Sequence, residues 1–268
     1  MQSSLVDVGA NLAHSSFADD LRQTIERAGI AGVSQIVITG TSVSNSEDSL
    51  RIANLYPDTC YSTVGIHPHE ADSFQASDID SLRRIACNDS VKAIGEAGLD
   101  YNRNFSKREN QIETFEAQLE LASELCMPVF IHERDAADDM LSIIARYRER
   151  IDKMVVHCFT GDEATLKAYL ELDLHIGITG WICDERRGLH LRDLVSLIPD
   201  NRLMIETDSP YLMPRDFPRK KDLPSARRNE PCTLAHIAAT IALCRNESYE
   251  ELAKHTTKTS RGFFSLPD

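Results

Sequence analysis

The sequence has 268 residues, of which 42% are hydrophobic and 26% charged, a balance typical of a globular protein with a large core and not of a disordered chain. Its formal net charge of -13 argues against a general nucleic-acid binder, because such proteins usually carry a basic face that displaces counterions from phosphates. One segment departs from this average, since residues 215–228 hold six basic and two acidic residues.

The cysteines and the amino terminus bear on the compartment. Seven cysteines are scattered without a CxxC pair, which predicts neither a disulfide framework nor a zinc finger. The first residues lack the basic and apolar regions of a signal peptide, and no run approaches the roughly 18 apolar residues of a membrane span. The sequence therefore predicts a cytoplasmic protein with no membrane partner, and we expect a monomer.

Short apolar runs rich in β-branched residues recur along the chain, and each is followed by a polar stretch with helical periodicity. In chain order the runs are SLVDV, QIVIT, STVGI, VKAIGE, PVFIH, MVVHC, LHIGI and RLMIE. Strands buried on both faces have such nearly continuous apolar runs, and their alternation with helices indicates parallel βαβ units. Between the fourth and fifth runs, Ile112, Phe115, Leu119 and Ala122 have helical spacing.

Eight such units predict an α/β protein built as a single (β/α)8 TIM barrel, with residues 1–268 forming one domain. The alternative is an open doubly wound sheet. No glycine-rich GxGxxG turn follows the first run, and this favours the barrel.

Polar residues recur where the apolar runs end, and in a (β/α)8 barrel these strand ends form the active site. They are His67 and His69 after the third run, Glu96 in the fourth, His132 in the fifth, His157 in the sixth and Asp208 after the eighth. Imidazoles and carboxylates that converge there would bind a divalent metal with positions open for water and substrate. Each residue taken alone also has a structural interpretation, as a hydrogen-bonded group. A buried pair of Glu96 and Asp208, however, would be costly without a cation.

Longer motifs stand in fixed order over nearly the whole chain. They are ITGT (38–41), GIHPH (65–69), GEAGLDYNRNFS (95–106), HCFTG (157–161), IGITGW (176–181), CDERRG (183–188), ETDSPYL (206–212) and RRNEP (227–231). In these motifs the chain resembles the TatD family of metal-dependent deoxyribonucleases. The resemblance implies a barrel of the amidohydrolase kind, magnesium-dependent 3′ to 5′ exonuclease activity on single-stranded DNA and RNA, and a role in DNA repair. It also implies that Glu96, His132 and His157 bind metal.

The first strand departs from a pattern found in many members of this family. Their Asp-x-His-x-His motif holds a further metal, whereas this chain has Asp7-Val8-Gly9-Ala10-Asn11. We therefore expect one well-formed metal site and at most a second, weaker one that uses substrate phosphate oxygens. Because residues 9 and 11 share a strand face, histidines placed at both should add metal ligands.

The candidate residues predict in-line attack of a metal-activated water on the terminal phosphodiester. Asp208 is the candidate general base and also a candidate metal ligand. His67, a candidate catalytic residue, and His69 would contact the phosphate or protonate the leaving oxygen, although a structural His-Pro-His turn is the alternative. Mg²⁺ is the expected cofactor, and Mn²⁺ or Zn²⁺ stay open because the ligand set mixes imidazole with carboxylate.

Substrate binding is predicted for arginines in the motif loops. Arg134, Arg186 and Arg187 stand where a guanidinium can clamp phosphate, although a solvated surface role is open for each. Trp181 has two interpretations, as a base-stacking or as a core residue. Arg228 is either a phosphate contact or a structural group at the RNEP turn.

Two other functions stay open. The same barrel and metal site serve hydrolases of small amides, esters or phosphoesters, because fold does not fix substrate. The second alternative is a non-catalytic partner of a protein-export system, in which the metal residues are kept only for structure. Segment 215–228 favours the nuclease over the first, and the complete set of Glu96, His132, His157 and Asp208 disfavours the second.

Overall fold

Eight strands form one parallel sheet in this computed structural model, which describes residues 4–218, 220–225 and 227–268. The strands are β1 (Leu5–Ala10), β2 (Val33–Ile38), β3 (Cys60–Val64), β4 (Val91–Asp100), β5 (Val129–Arg134), β6 (Met154–Val156), β7 (His175–Ile178) and β8 (Leu203–Ile205). Each pairs in parallel with the next along the chain, from β1 to β8.

Hydrogen bonds between the segment after β8 and the end of β1 close this sheet. The Asp208 N–H donates to the Gly9 carbonyl at 2.8 Å, and the Asn11 N–H donates to the Ser209 carbonyl at 2.7 Å. Ala10 and Ser209 form a parallel bridge. The predicted barrel is therefore confirmed, and the open-sheet alternative is wrong.

Helices alternate with the strands and pack against the sheet. They are α1 (Leu21–Ile30), α2 (Val43–Leu55), α3 (Ala76–Ala86), α4 (Arg108–Leu125), α5 (Ala137–Tyr147), α6 (Glu163–Glu171), α7 (Leu189–Leu194), α8 (Leu234–Arg245) and α9 (Tyr249–Phe264). In α4 the predicted spacing holds, since Phe115, Leu119 and Ala122 are fully buried and Ile112 is half-buried. None of the helices in the described ranges is both long enough and apolar enough to cross a membrane.

The barrel interior is a packed core that ends just below the strand ends. Val6 and Val8 of β1 lie in it together with Phe130 of β5. At the other end of the barrel, Phe263 near the end of α9 packs on His175, the first residue of β7. The Phe130 ring lies 4.7 Å from the ring of His157. The apolar interior therefore directly contacts the polar residues at the strand ends.

Candidate active site and metal centre

A cavity of about 850 Å³ opens at the carboxyl ends of the strands, and residues that end or follow all eight strands line it. At its base the Glu96 carboxylate meets three imidazoles. Glu96 Oε1 lies 2.7 Å from His132 Nδ1, 2.8 Å from His157 Nε2 and 3.3 Å from His67 Nε2. The structure thus brings together the three metal ligands implied by the resemblance and places His67 beside them.

Glu96 reaches this position through an irregular strand. The run predicted to end at Glu96 continues to Asp100, and its pairing with β5 shifts register between Ile94 and Ala97. Gly95 and Gly98 have φ of 133° and 154°, and a Cβ at either would lie 2.1 Å or less from a carbonyl oxygen of β5. Only glycine fits these two positions, and the bulge between them turns Glu96 toward the cavity.

The charges of the cluster follow from burial and pairing. Burial raises the pKa of Glu96, but the positive charge of His157 and hydrogen bonds from His132 and His157 outweigh burial and hold this pKa well below its usual range. Burial lowers the pKa of His157, yet the negative charges of Glu96 and Glu206 outweigh it and raise this pKa well above its usual range. Burial likewise lowers the pKa of His132, but its hydrogen bonds to Asp100 and Glu96 outweigh burial and raise it, so the carboxylates favour positive charge on both imidazoles.

His67 differs from His132 and His157 because its pKa is lowered and not raised. Burial lowers its pKa to about 4, against the opposing effect of Glu96. Its Nδ1 accepts the His69 N–H at 3.1 Å, so the single ring proton sits on Nε2 and is directed at Glu96. Gln118 of α4 fixes the approach of this loop, with its side-chain amide bonded to both the N–H and the carbonyl of Ile66.

Asp208 lines the same cavity but stands apart from the imidazole cluster. Its backbone is left-handed with φ 53°, a conformation that aspartate tolerates better than most residues. Its Oδ1 accepts a hydrogen bond from Asn11 Nδ2 at 2.9 Å. Burial and the negative charges of Glu96 and Glu206 raise the pKa of Asp208 to about 7, although the His157 charge and the Asn11 hydrogen bond oppose this.

Sequence reasoning missed two carboxylates that stand behind the imidazoles. Asp100 Oδ2 lies 3.3 Å from His132 Nε2 and 2.8 Å from His69 Nε2. Glu206 is fully buried, and its Oε2 lies 3.4 Å from His157 Nδ1. Carboxylates in such places orient a metal-binding histidine and raise its basicity. Both residues were visible in the motifs as the last polar residue of GLD and the first of ETDSPYL.

The structure adds a condition to the prediction about first-strand histidines, because the carboxylate of Glu206 lies beside Gly9 and would have to move. A Cβ at Gly9 would lie 2.4 Å from Glu206 Oε2 and 3.1 Å from the Phe130 ring. Glu206 therefore occupies the space that a histidine at position 9 would need. Histidines at 9 and 11 cannot add ligands while Glu206 stays in place.

We expect Glu206→Gln to lower both kcat/KM and the affinity for Mn²⁺ by about 10- to 100-fold, because the amide keeps the shape of the side chain but removes the charge behind His157. Titration calorimetry and steady-state kinetics measure the two effects. Glu70→Gln is the control, since Glu70 is exposed and lines the same cavity. Equal metal affinity of Glu206→Gln and Glu70→Gln would show that Glu206 packs in the core without supporting metal binding.

The arginines predicted to bind substrate have different surroundings. Arg134 and Arg187 line the cavity, and their guanidinium groups lie 5.1 and 4.4 Å from the centre of the Trp181 ring. Trp181 is half-buried in the cavity wall and supports both cations. Arg186 lies outside the lining and pairs with Asp184 at 3.3 Å.

The basic segment 215–228 follows β8 but does not line the cavity in its described part. Arg219 lies outside the described residues. Arg215 pairs with Glu185 at 3.2 Å, and Lys221 and Arg227 are exposed. Arg228 is nearly buried and forms ion pairs with Asp20 and Glu230, which favours the structural role over contact with phosphate.

Comparison with known proteins agrees with this arrangement. The family model described as TatD-related DNase matches residues 6–265. The chain belongs to the TatD-related DNase family. The 3′-5′ ssDNA/RNA exonuclease TatD of a Pantoea species is 47% identical over 263 residues, which cover 98% of this chain and 100% of that protein. The exonuclease of the same name from Erwinia tasmaniensis is 48% identical over 262 residues, with 98% and 100% covered.

Solved structures of TatD-family proteins share the whole fold. A TatD homologue from Escherichia coli K12 aligns over 100% of both chains with a TM-score of 0.89 and 26% identity. A TatD family hydrolase from Entamoeba histolytica aligns over 100% of both chains, with a TM-score of 0.89 and 27% identity. The predicted family is therefore confirmed.

Proposed function

We propose that this chain is a metal-dependent 3′-5′ exonuclease that hydrolyses the phosphodiester bonds of single-stranded DNA and RNA. The observation that carries the proposal is the cluster of Glu96 with three imidazoles at the base of a cavity whose wall also presents guanidinium groups. The Pantoea and Erwinia relatives, nearly half identical over almost the whole chain, are named for this activity.

The donor set fits a divalent cation. Ligand atoms of His67, Glu96 and His132 lie within 4.8 Å of one another, and His157 Nε2 lies 3.4 Å from His132 Nδ1. The two carboxylates beside His157 already require a positive charge, which a metal supplies in place of the proton. Bound there, the ion would polarise the phosphoryl oxygens and lower the pKa of a water. We propose Mg²⁺, with Mn²⁺ or Zn²⁺ as alternatives that imidazole ligands also suit.

Asp208 is the proposed general base. Its carboxylate lines the same cavity as Glu96, so it is placed to accept a proton from a water held there. The hydrogen bond from Asn11 to Oδ1 leaves Oδ2 to take the proton of the attacking water. A role as a metal ligand belongs to the same proposal.

The remaining candidates would handle the phosphate and the leaving oxygen. Arg134 and Arg187 would bind phosphate, since both line the cavity and rest on Trp181. His69, held by Asp100 and partly exposed to the cavity, is placed to donate a proton to the leaving oxygen. His67 is directed at Glu96, so we propose that it helps to hold the metal. Arg186 would contribute only long-range charge.

These guanidinium groups favour a phosphodiester over the neutral amide or ester of the alternative hydrolase. The complete cluster disfavours the non-catalytic alternative, because unused buried charges would be costly. We extend the proposal to a cytoplasmic monomer formed as one domain by residues 1–268, with a role in DNA repair. The seven scattered cysteines, which form no CxxC pair, support the compartment.

The proposed function is tested with single strands labelled at the 5′ end or at the 3′ end. With Mg²⁺, the 3′ label should be released as mononucleotide at once, while the 5′ label shortens in single-nucleotide steps. Chelator should stop both reactions. Internal cuts, or no cleavage with any of the three metals, would contradict the proposal.

The basic segment should contribute to binding outside the cavity. We expect the replacement of Lys220, Lys221 and Arg227 by Gln to weaken strand binding and to reduce the salt slope by about one for each lost phosphate contact. Fluorescence anisotropy at several salt concentrations measures the slope. An unchanged slope would remove the segment from the binding surface.

A further inference from the structure

Two aromatic side chains at the rim of the cavity are exposed. Phe105 is 65% and Tyr211 is 51% exposed, whereas large apolar side chains are usually buried. Within the described ranges these are the only aromatic residues among the exposed large hydrophobic ones, and both line the active-site cavity. Core packing therefore does not explain them, and their shared location points to a ligand.

The two aromatic residues follow strands on opposite sides of the barrel. Phe105 follows β4 and Tyr211 follows β8, and these strands are four places apart in an eight-stranded barrel. The Phe105 ring centre lies 4.7 Å from that of His69, and the Tyr211 N–H donates to the Asp208 carbonyl at 2.9 Å. The Phe105 ring thus stands next to His69, and Tyr211 shares a turn with Asp208 while its ring lies 5.8 Å from that of His14.

Positive groups accompany the rings. Arg103 is exposed in the same connection as Phe105 and lines the cavity, and Arg187 lines the same cavity. Exposed aromatic rings combined with nearby cations are the pattern of single-strand channels, in which bases stack and the backbone follows the positive charge. Stacking of this kind tolerates any base, because every base has a flat π face.

We propose that Phe105 and Tyr211 are stacking platforms for the two nucleobases that flank the scissile phosphate. This inference rests on the proposed exonuclease function and deepens it. The leaving nucleotide stacks on one ring and the next nucleotide on the other, which holds the phosphate above Glu96. A base inside a duplex is paired and stacked on its neighbours, so this arrangement selects unpaired 3′ ends.

The test combines ring removal with base removal. Phe105→Leu and Tyr211→Leu keep an apolar side chain but lose the π face. The substrates are a 5′-labelled DNA single strand and two copies that carry an abasic residue at the terminal or at the penultimate position. On the intact strand each variant should lose about ten-fold or more in kcat/KM, the range of one base–aromatic stack. One abasic position should abolish the effect of Phe105→Leu, and the other that of Tyr211→Leu.

The control is Leu243→Ala, which removes an apolar side chain that is 83% exposed on α8 and does not line the cavity. This variant should cleave all three strands at the wild-type rate. If a platform variant loses the same factor on intact and abasic strands, or loses nothing, the inference is overturned.

Failure of the proposed function has a separate signature. In that case the wild-type protein cleaves no strand, and stacking is measured by binding of a strand with 2-aminopurine at its 3′ end. Quenching of this fluorophore that is lost in Phe105→Leu or Tyr211→Leu would support the platforms without cleavage. Absent quenching, or quenching equal in all variants, would overturn them.

Discussion

Replacement of Glu96 by alanine is expected to abolish strand hydrolysis, with a loss of at least about 10³-fold in turnover, as for removal of a central catalytic group. Glu96 Oε1 is the atom on which His132, His157 and His67 converge, so its removal takes away both a ligand and the negative charge of the cluster. The barrel should stay folded, because the side chain lies above the apolar core and the backbone N–H of residue 96 keeps its hydrogen bond to the Gly40 carbonyl at 2.7 Å. Hydrolysis at saturating Mg²⁺ is the measurement.

Glu70→Ala is the matched control for this variant. Glu70 also lines the cavity, but it is exposed and its carboxylate lies outside the cluster. It should retain nearly full activity. Circular dichroism separates lost chemistry from lost folding. Near-normal turnover of a folded Glu96→Ala protein would show that the proposed centre is not the site of hydrolysis.

The barrel and the centre of the site were predictable because they follow from periodic patterns. Runs buried on both faces gave eight parallel strands, and their carboxyl ends located Glu96, His132 and His157. The open-sheet alternative failed because Asp208 and Ser209 pair with the end of β1.

The second carboxylate layer was not predictable from alternation alone. Residues two apart in a strand share a face, so Glu206 and Asp208 would be assigned the same role. The left-handed backbone of Asp208 breaks this alternation. Glu206 is therefore buried behind His157, and Asp208 lines the cavity. Sequence also could not show that Glu206 fills the space beside Gly9.

Adjacent arginines show the same limit of sequence reasoning. Arg186 and Arg187 both pair with Asp184, yet only Arg187 lines the cavity. Arg227 is exposed, whereas its neighbour Arg228 has an 11% exposed side chain. Burial of one member of such a pair depends on distant partners, which a local pattern does not contain.

Replacement of Arg228 by alanine is expected to lower the free energy of unfolding by about 3 kcal/mol, since removal of one partner leaves buried charges unpaired. Arg228 donates to both Asp20 oxygens at 2.7 Å, to Glu230 Oε1 at 2.7 Å and to the Ser16 carbonyl at 2.5 Å. Glu230 is fully buried. Arg27 also pairs with Asp20 and Glu230, which keeps the loss near the lower end of the range for buried pairs.

The pH dependence of this loss distinguishes the ion pairs from simple packing. The hydrogen bond from Arg228 lowers the pKa of Asp20 to about 2 in the folded protein, below the value of about 3.9 in an unfolded chain. The contribution is therefore complete above pH of about 4 and is lost as the pH falls through about 2. Urea unfolding compares the wild type with Arg228→Ala and with the exposed control Arg227→Ala. Only Arg228→Ala should have a lower free energy of unfolding than the wild type, and this difference should become smaller on acidification. If the difference in free energy stays constant across this pH range, the contact of Arg228 with the Phe17 ring explains the loss, because that contact does not depend on the protonation of Asp20.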